Sequence, residues 1–250
     1  MSERPKTRVY LNHPITMDAR IELMPEQAHH LRNVLRLGPE MPVAGFNPAD
    51  GEWLCRVDEA KRQRMSLIVE RRLRAPETEG DLWLLFAPIK RGRLEWLIEK
   101  ATELGASALV PVWTRHTQTE RLNLARLRAH AVAAAEQCER LSVPALTAPQ
   151  PLAAALAEWP HERCLIVCDE TGGGGPIAEM LHRLGPGPAA LLTGPEGGFA
   201  ESELDSVTKL PFVARVGLGP RVLRADTAAV AALSVYQAIA GDWRRPRFVD

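Results

Sequence analysis

The chain has 250 residues, 46% hydrophobic and 25% charged, with 31 Lys+Arg against 31 Asp+Glu. That balance describes a globular protein with one large or two modest cores and excludes a collagen-like or disordered chain. No apolar run reaches the roughly 18–20 residues of a membrane helix, and Met1–Lys6 leads into no apolar signal segment, so the expected location is the cytoplasm. The four cysteines, at 55, 138, 164 and 168, form no C-x-x-C pair and have no His cluster beside them. Cys164 and Cys168 lie in an apolar run and read as core thiols, so no metal is expected. The neutral total conceals a charge of +3 over residues 1–75 and −3 over the rest, which leans the front segment towards an anionic partner.

Short strand patterns recur at Arg8–Leu11, Met41–Phe46, Glu52–Val57 and Met65–Leu73, separated by turn signals such as Asn47-Pro48-Ala49-Asp50-Gly51. A helix over Pro25–Leu37, closed by Gly38-Pro39, interrupts them. The pattern predicts a small β-barrel. Ala75-Pro76-Glu77-Thr78-Glu79-Gly80 marks the junction, giving domains at 1–75 and 80–245.

Beyond the junction, strands alternate with helices. Leu82–Ala87 is a continuous apolar run, as in a strand covered on both faces. A helix with Leu94, Leu97, Ile98, Ala101 and Leu104 on one face follows, stopped by Gly105. Next come a strand at Ala108–Trp113, a helix at Asn123–Arg140, strands at Cys164–Cys168, Ala189–Thr193 and Phe212–Val216, and a final helix at Asp226–Ala240. This alternation predicts an α/β domain with a parallel sheet. Ligands of such sheets bind beyond the carboxyl ends of the strands.

Two glycine-punctuated turns fall at those ends: Thr193-Gly194-Pro195-Glu196-Gly197-Gly198-Phe199 and Gly217-Leu218-Gly219-Pro220-Arg221-Val222-Leu223-Arg224. Glycine lets a backbone approach a ligand and donate its own amides. With Glu196, Arg221 and Arg224 among the glycines, the turns point to one composite pocket or, in the plainer reading, to ordinary βα connections. Neither has the spacing of a dinucleotide or phosphate loop. Gly172-Gly173-Gly174-Gly175 reads as a flexible connection or as a pocket wall.

Five segments together resemble the ribosomal RNA small-subunit methyltransferase E family, within the SPOUT class of knotted S-adenosylmethionine-dependent enzymes. They are His29–Arg36 (HHLRNVLR), Glu99–Gly105 (EKATELG), Ala135–Arg140 (AEQCER), Gly194–Phe199 (GPEGGF) and Leu218–Ala228 (LGPRVLRADTA). The likeness spans almost the whole chain in the family's order. It implies a SPOUT-type parallel sheet with a deep trefoil knot, preceded by a PUA-like RNA-binding β-barrel. It also implies methylation of N3 of a uridine in 16S ribosomal RNA, alone or in the small ribosomal subunit, by a homodimer. S-adenosyl-L-methionine would be held at three loops: around Val167–Glu170, with Val167 as the contact; by Thr193, Gly194, Pro195, Glu196, Gly197 and Gly198; and by Leu218, Gly219, Arg221, Val222 and Leu223. The chain departs from the family at Ala200, where a Ser commonly forms a capping box with Glu203, and at Ala225-Asp226, where Thr-Glu is usual.

A uridine N3 must shed its proton before it attacks, so the chemistry needs a base or a cation that stabilises the imide anion. Glu196 is the candidate for cofactor or proton handling and Arg224 for the anion, with Arg221 as the other choice. The bland alternatives are that Glu196 caps the following helix and Arg224 is ion-paired. Arg32 and Arg36, at i, i+4, suit RNA phosphates. Lys90, Arg91 and Arg93 open a helix where a phosphate would lie, or are a solvated helix end. Gln137 and Arg140 share a face for RNA or for a partner subunit, and Lys100 and Glu103 read as a structural pair. Adjacent His29 and His30 point apart and hold no metal together. Two other classes compete: a non-catalytic RNA-binding or ribosome-assembly protein, and a SPOUT methyltransferase acting on tRNA.

Overall fold

The computed structural model describes residues 4–61, 64–119, 121–185 and 187–244. The chain divides into two compact units, Met1–Thr78 with Ala135–Val143, and Glu79–Ala134 with Pro144–Asp250. The stretch Ala135–Val143 thus belongs to the first unit, although boundaries drawn along the sequence leave it in the second.

The first unit is built on β1 (Arg8–Tyr10), β2 (Arg20–Glu22), α1 (Pro25–His29), β3 (Pro42–Asn47), β4 (Gly51–Lys61) and β5 (Arg64–Arg74). Its sheet has the order β1-β3-β4-β5-β2, with β1 parallel to β3 and the other pairs antiparallel. Val43, Cys55, Val57, Leu67 and Val69 are fully buried at its centre. The β3–β4 turn is tied by Asp50 N donating to Asn47 Oδ1 (2.7 Å). It ends at Gly51, whose φ is +83° and where a Cβ would collide with the Arg74 carbonyl, so only glycine fits. β2 escapes a sequence reading because one buried residue between two exposed ones gives no measurable period.

The helix expected over Pro25–Leu37 is shorter than its pattern. After α1 the chain widens into a π-helical turn at His30–Val34, closed by Leu35 N to His30 O (3.1 Å), and Arg36 then turns to φ +56°. Leu31 and Leu37 are pulled into the core, joined by a bond from Leu37 N to Leu31 O (2.9 Å). Arg32 and Arg36 therefore do not share one α-helical face. Arg32 lies in the π turn, and Arg36 is exposed beyond it.

Arg8 gathers several acceptors of this unit. Its guanidinium bonds Glu52 and the carbonyls of Ala135, Glu136 and Arg140, and lies 4.0 Å above the Phe46 ring. Ala135 and Glu136 are near the end of the helix Leu124–Gln137, where carbonyls lack intrahelical partners, so one buried cation satisfies several orphan acceptors.

The second unit carries β6 (Leu82–Phe86), α2 (Arg91–Glu103), β7 (Ala108–Trp113), α3 (Leu124–Gln137, whose last residues count with the first unit), β8 (Ala145–Leu146), β9 (Gln150–Pro151) and α4 (Leu152–Ala157). It continues with β10 (Cys164–Cys168), β11 (Gly175–Pro176), α5 (Ile177–Arg183), β12 (Ala189–Thr193), α6 (Glu201–Thr208), β13 (Val213–Gly217) and α7 (Ala225–Ile239). The sheet is parallel throughout, in the order β11-β13-β10-β12-β6-β7-β8, with β9 against β7. Every residue of β12 is buried, as its unbroken apolar run requires. α2 buries Leu94, Leu97, Ile98 and Ala101 and ends at Gly105 (φ +80°), while buried Gln237 of α7 donates to the Leu104 carbonyl (2.7 Å). Among the described residues no helix is long and apolar enough to cross a membrane.

Replacing Arg8 with Ala leaves Glu52 with the longer Arg74 contact, at 3.7 Å, and removes a donor from three carbonyls. Breaking such a buried pair should cost about 3–5 kcal/mol. Urea unfolding measures it, and a loss below about 1 kcal/mol would show that water replaces the guanidinium without penalty.

Candidate active site at three strand ends

Because β10 pairs with β13 on one side and β12 on the other, all parallel, their carboxyl ends line up. Val167 lies opposite Leu192, and Cys168 opposite Val216. The three following loops surround a cavity of 840 Å³ that is also lined by Ala228, Ala231 and Val235 of α7.

The first loop is fixed by Asp169, whose side chain is wholly buried. Its carboxylate accepts from Thr171 N (2.8 Å), Gly173 N (2.9 Å), Thr171 Oγ1 (3.1 Å) and Arg215 Nε (2.7 Å). Burial opposes its ionisation, but the bonds from Thr171 and Arg215 outweigh it and hold the carboxyl below its usual 3.8. Gly172 and Gly174 line the cavity, and a Cβ at Gly174 would collide with the Val216 backbone. The glycine run is thus a pocket wall.

The second loop is held by its neighbours. Phe199 N donates to Glu170 Oε1 (2.9 Å), which occupies the space a Cβ at Gly198 would need. Gly198 itself has φ +69°. His116 Nδ1 lies 3.1 Å from the Gly197 carbonyl and 3.2 Å from that of Gly198, so Nδ1 must carry the proton. Glu196 Oε1 accepts from Lys90 N (3.4 Å). Glu196 therefore reaches the start of α2 and does not cap α6, which begins after Ala200 with no side-chain cap.

Thr193, Gly194, Pro195, Glu196, Gly198, Leu218, Gly219, Arg221, Val222, Leu223 and Arg224 all line the cavity. Val167 does not: it is buried in the sheet core, and Cys168 to Gly172 form that wall. Gly197 faces His116 and is not among the lining residues. Arg221 and Arg224 are exposed, and among the described residues neither has an ion-pair partner. Lys90 and Arg91 are exposed and Arg93 half-buried at the start of α2. Arg140 lies in the first unit, its carbonyl on Arg8 and its Nη2 on Ser142 Oγ (2.9 Å). Lys100 and Glu103 form the structural pair, at 2.6 Å.

The resemblance places Asp169 and Glu170 within a cofactor loop, but their part in tying the loops together, and His116 altogether, escape sequence reasoning. A short Asp-Glu-Thr ahead of four glycines is the one signal that marks the first two.

The chain matches the RNA methyltransferase domain family over residues 76–237. It is 31% identical over 232 residues to the ribosomal RNA small subunit methyltransferase E of Mycobacterium bovis, covering 87% of this chain and 86% of that one. The chain belongs to the ribosomal RNA small subunit methyltransferase E family. Another member, from Rickettsia conorii, is 29% identical over 228 residues, with 91% and 93% covered. A crystal structure of the Neisseria gonorrhoeae member, bound to S-adenosyl methionine, superposes with a TM-score of 0.85 at 25% identity, over 95% of this chain and 99% of that one. A putative methyltransferase of Legionella pneumophila, in complex with the same cofactor, gives a TM-score of 0.81 at 28% identity, over 94% and 98%.

Asp169 has a lower pKa folded than unfolded, so its contribution to stability is complete above about pH 4 and is lost as pH falls through the folded value. Asp169→Asn should lower Tm at pH 7 by roughly 4–8 °C, and the gap from the parent should close as pH falls below 3.8. Calorimetry across that range checks it, and a gap that persists at low pH would remove the charge from the explanation.

Proposed function

We propose that the chain transfers a methyl group from S-adenosyl-L-methionine to N3 of a uridine in small-subunit (16S) ribosomal RNA. One observation carries the reading: the parallel strand ends build a glycine-walled cavity with two guanidiniums at its edge, Arg221 and Arg224, that have no ion-pair partner among the described residues, and with the Glu196 carboxylate beside them. Family membership and the cofactor-bound relatives support it.

The residues present fit the cofactor. The cavity volume lies in the range of small-molecule sites. Glycines keep parts of its wall close to the backbone, since an added Cβ would meet the Val216 backbone at Gly174 and the Phe199 ring at Gly194. Backbone groups of Thr193–Glu196, Gly198 and Leu218–Leu223 would hold it, with Cys168–Gly172 as the third wall. When bound, it supplies an electrophilic methyl carried on a sulfonium. The protein's part is positioning, which can account for much of the acceleration of an in-line displacement. Glu196, with one oxygen bonded to Lys90 N, accepts the uridine imide proton or passes it to water. Arg224 or Arg221 stabilises the imide anion flanked by its two carbonyls.

The same proposal includes the knotted SPOUT arrangement of residues 80–245 and the PUA-like, RNA-binding character of residues 1–75, in a cytoplasmic protein. Arg32, Arg36 and Arg140 of the first unit and Lys90, Arg91 and Arg93 of the second then take RNA phosphates, positioning without reading sequence.

Nucleoside mass spectrometry of 16S ribosomal RNA from a strain lacking the gene should show loss of one N3-methyluridine. Complementation with the parent chain should restore it, and Arg224→Ala or Gly219→Val should not. Gly219 has φ +101°, so Val there strains the third loop and should weaken cofactor binding in calorimetry, whereas Arg224→Ala should retain it. A methyl group lost from tRNA instead, or no methyl lost at all, would overturn the reading.

A homodimer completes the proposal. Val222 is 85% exposed beside the cavity, and Ala228, Val230, Ala231 and Val235 of α7 are only half-buried. An apolar helix face of this kind calls for cover. Light scattering should give twice the chain mass of 27.6 kDa, and a fully active monomer would refute the dimer.

A further inference from the structure

A second cavity, of 680 Å³, lies wholly within the second unit, between the start of α2 and the loop that leads into α3. Its floor is apolar, made by Ile89, Leu94, Leu122, Leu124 and Leu127. Among the described residues its polar lining includes Arg91, Arg121 and Arg126 against one carboxylate, that of Glu95. That carboxylate is already engaged: Arg126 Nε and Nη2 bond its two oxygens at 2.5 and 3.1 Å, which holds the Arg126 guanidinium in one plane. Arg91 is 75% exposed, at 3.2 Å from the same Glu95. Arg121 is exposed and has no ion-pair partner among the described residues. Two helices of 13 and 14 residues begin at this cavity, so the positive ends of both dipoles add to the guanidiniums.

An apolar floor, a fixed guanidinium plane and two further cations are the needs of an unstacked nucleotide: a flat hydrophobic base and an anionic phosphate. Two segments that line this cavity also reach the second loop of the candidate site. Lys90 N bonds Glu196, and the next residue, Arg91, lines the second cavity. His116 bonds the carbonyls of Gly197 and Gly198, and Thr119, three residues on, lines it from the other side.

We propose that this second cavity seats an unpaired nucleotide of the RNA substrate next to the one being methylated, its base on the leucine floor against Arg126 and its phosphate between Arg91 and Arg121. The inference rests on RNA being the substrate. It adds a subsite that holds the strand while the target base enters the first cavity. It also gives the enzyme a reason to prefer single-stranded or splayed RNA to a duplex, whose bases are stacked away from any such floor.

The test uses the full chain and a single-stranded RNA decamer carrying 4-thiouridine, with a duplex of the same length as comparison. Photocrosslinking followed by peptide mass spectrometry should place adducts in residues 119–127. Arg121→Glu should weaken decamer binding about tenfold and lower the salt slope by roughly 0.7–1. Arg121→Lys should restore most of both, and Leu122→Trp, which fills the floor without changing charge, should weaken binding several-fold. S-adenosylmethionine affinity should be unchanged in all three. Adducts confined to other peptides, together with binding by both disruptive variants within twofold of the parent, would overturn the subsite. Uridine monophosphate binding as tightly as the decamer would overturn it too, by assigning the cavity to free nucleotides. The two readings fail separately. Ordinary methylation by Arg121→Glu and Leu122→Trp at unchanged KM removes the subsite and leaves the enzyme, whereas adducts at 119–127 in a chain that methylates nothing remove the enzyme and leave the subsite.

Discussion

The active-site architecture depends on one pairing constraint: β10 sits between β13 and β12, all running the same way. Parallel neighbours cannot be joined by tight turns, so each connection must leave the sheet and return. The loops at their carboxyl ends are then forced into one neighbourhood although they come from residues near 170, 195 and 220. What the register brings together, Asp169 and Glu170 hold in place. Asp169 ties the first loop to Arg215 of β13, and Glu170 ties it to Phe199 beyond β12. Both carboxylates sit just past the end of β10, where they reach either flank.

The strands and long helices were legible because their signals are local. Continuous apolar runs gave β6, β10 and β12, and the spacing of Leu94, Leu97, Ile98 and Ala101 gave α2. The glycine turns were legible because close backbone approach leaves a mark in composition. The links between loops were not: Asp169 meets Arg215 across 46 residues, and Glu196 meets Lys90 across 106. The π-helical turn at His30–Val34 was missed for a different reason. Its apolar spacing fits an α-helix, and what breaks the helix is the burial of Leu31 and Leu37 in the core, which drives Arg36 to positive φ.

Ala200 shows how a local weakness is met by tertiary contacts. Without a hydroxyl at the N-cap, α6 begins with no side-chain cap, and Glu203 turns its Oε1 to Arg115 N (3.3 Å) in the loop after β7. The same loop supplies His116 to the carbonyls of Gly197 and Gly198. The second loop of the pocket is therefore braced from β7's side and from β10's side, and less by the helix that follows it.

The two guanidiniums at the pocket edge set a requirement on what covers it. Arg221 and Arg224 are exposed, and at water's dielectric a charge 4 Å from an anion contributes only about 1 kcal/mol. For either to lower the barrier to imide attack by the several kcal/mol typical of preorganised charge, water must be displaced when substrate arrives. The protein has left the means for that in place. Val222, between the two arginines, is the most exposed large apolar side chain among the described residues, and the face of α7 beside the cavity is small and apolar. A surface seated there, whether a second copy of the chain or the RNA itself, buries Val222 and lowers the dielectric around Arg221 and Arg224 in one step. On the proposed function the cations would then be strongest when the substrate is in position, so the contact that completes the pocket would also turn on its electrostatics.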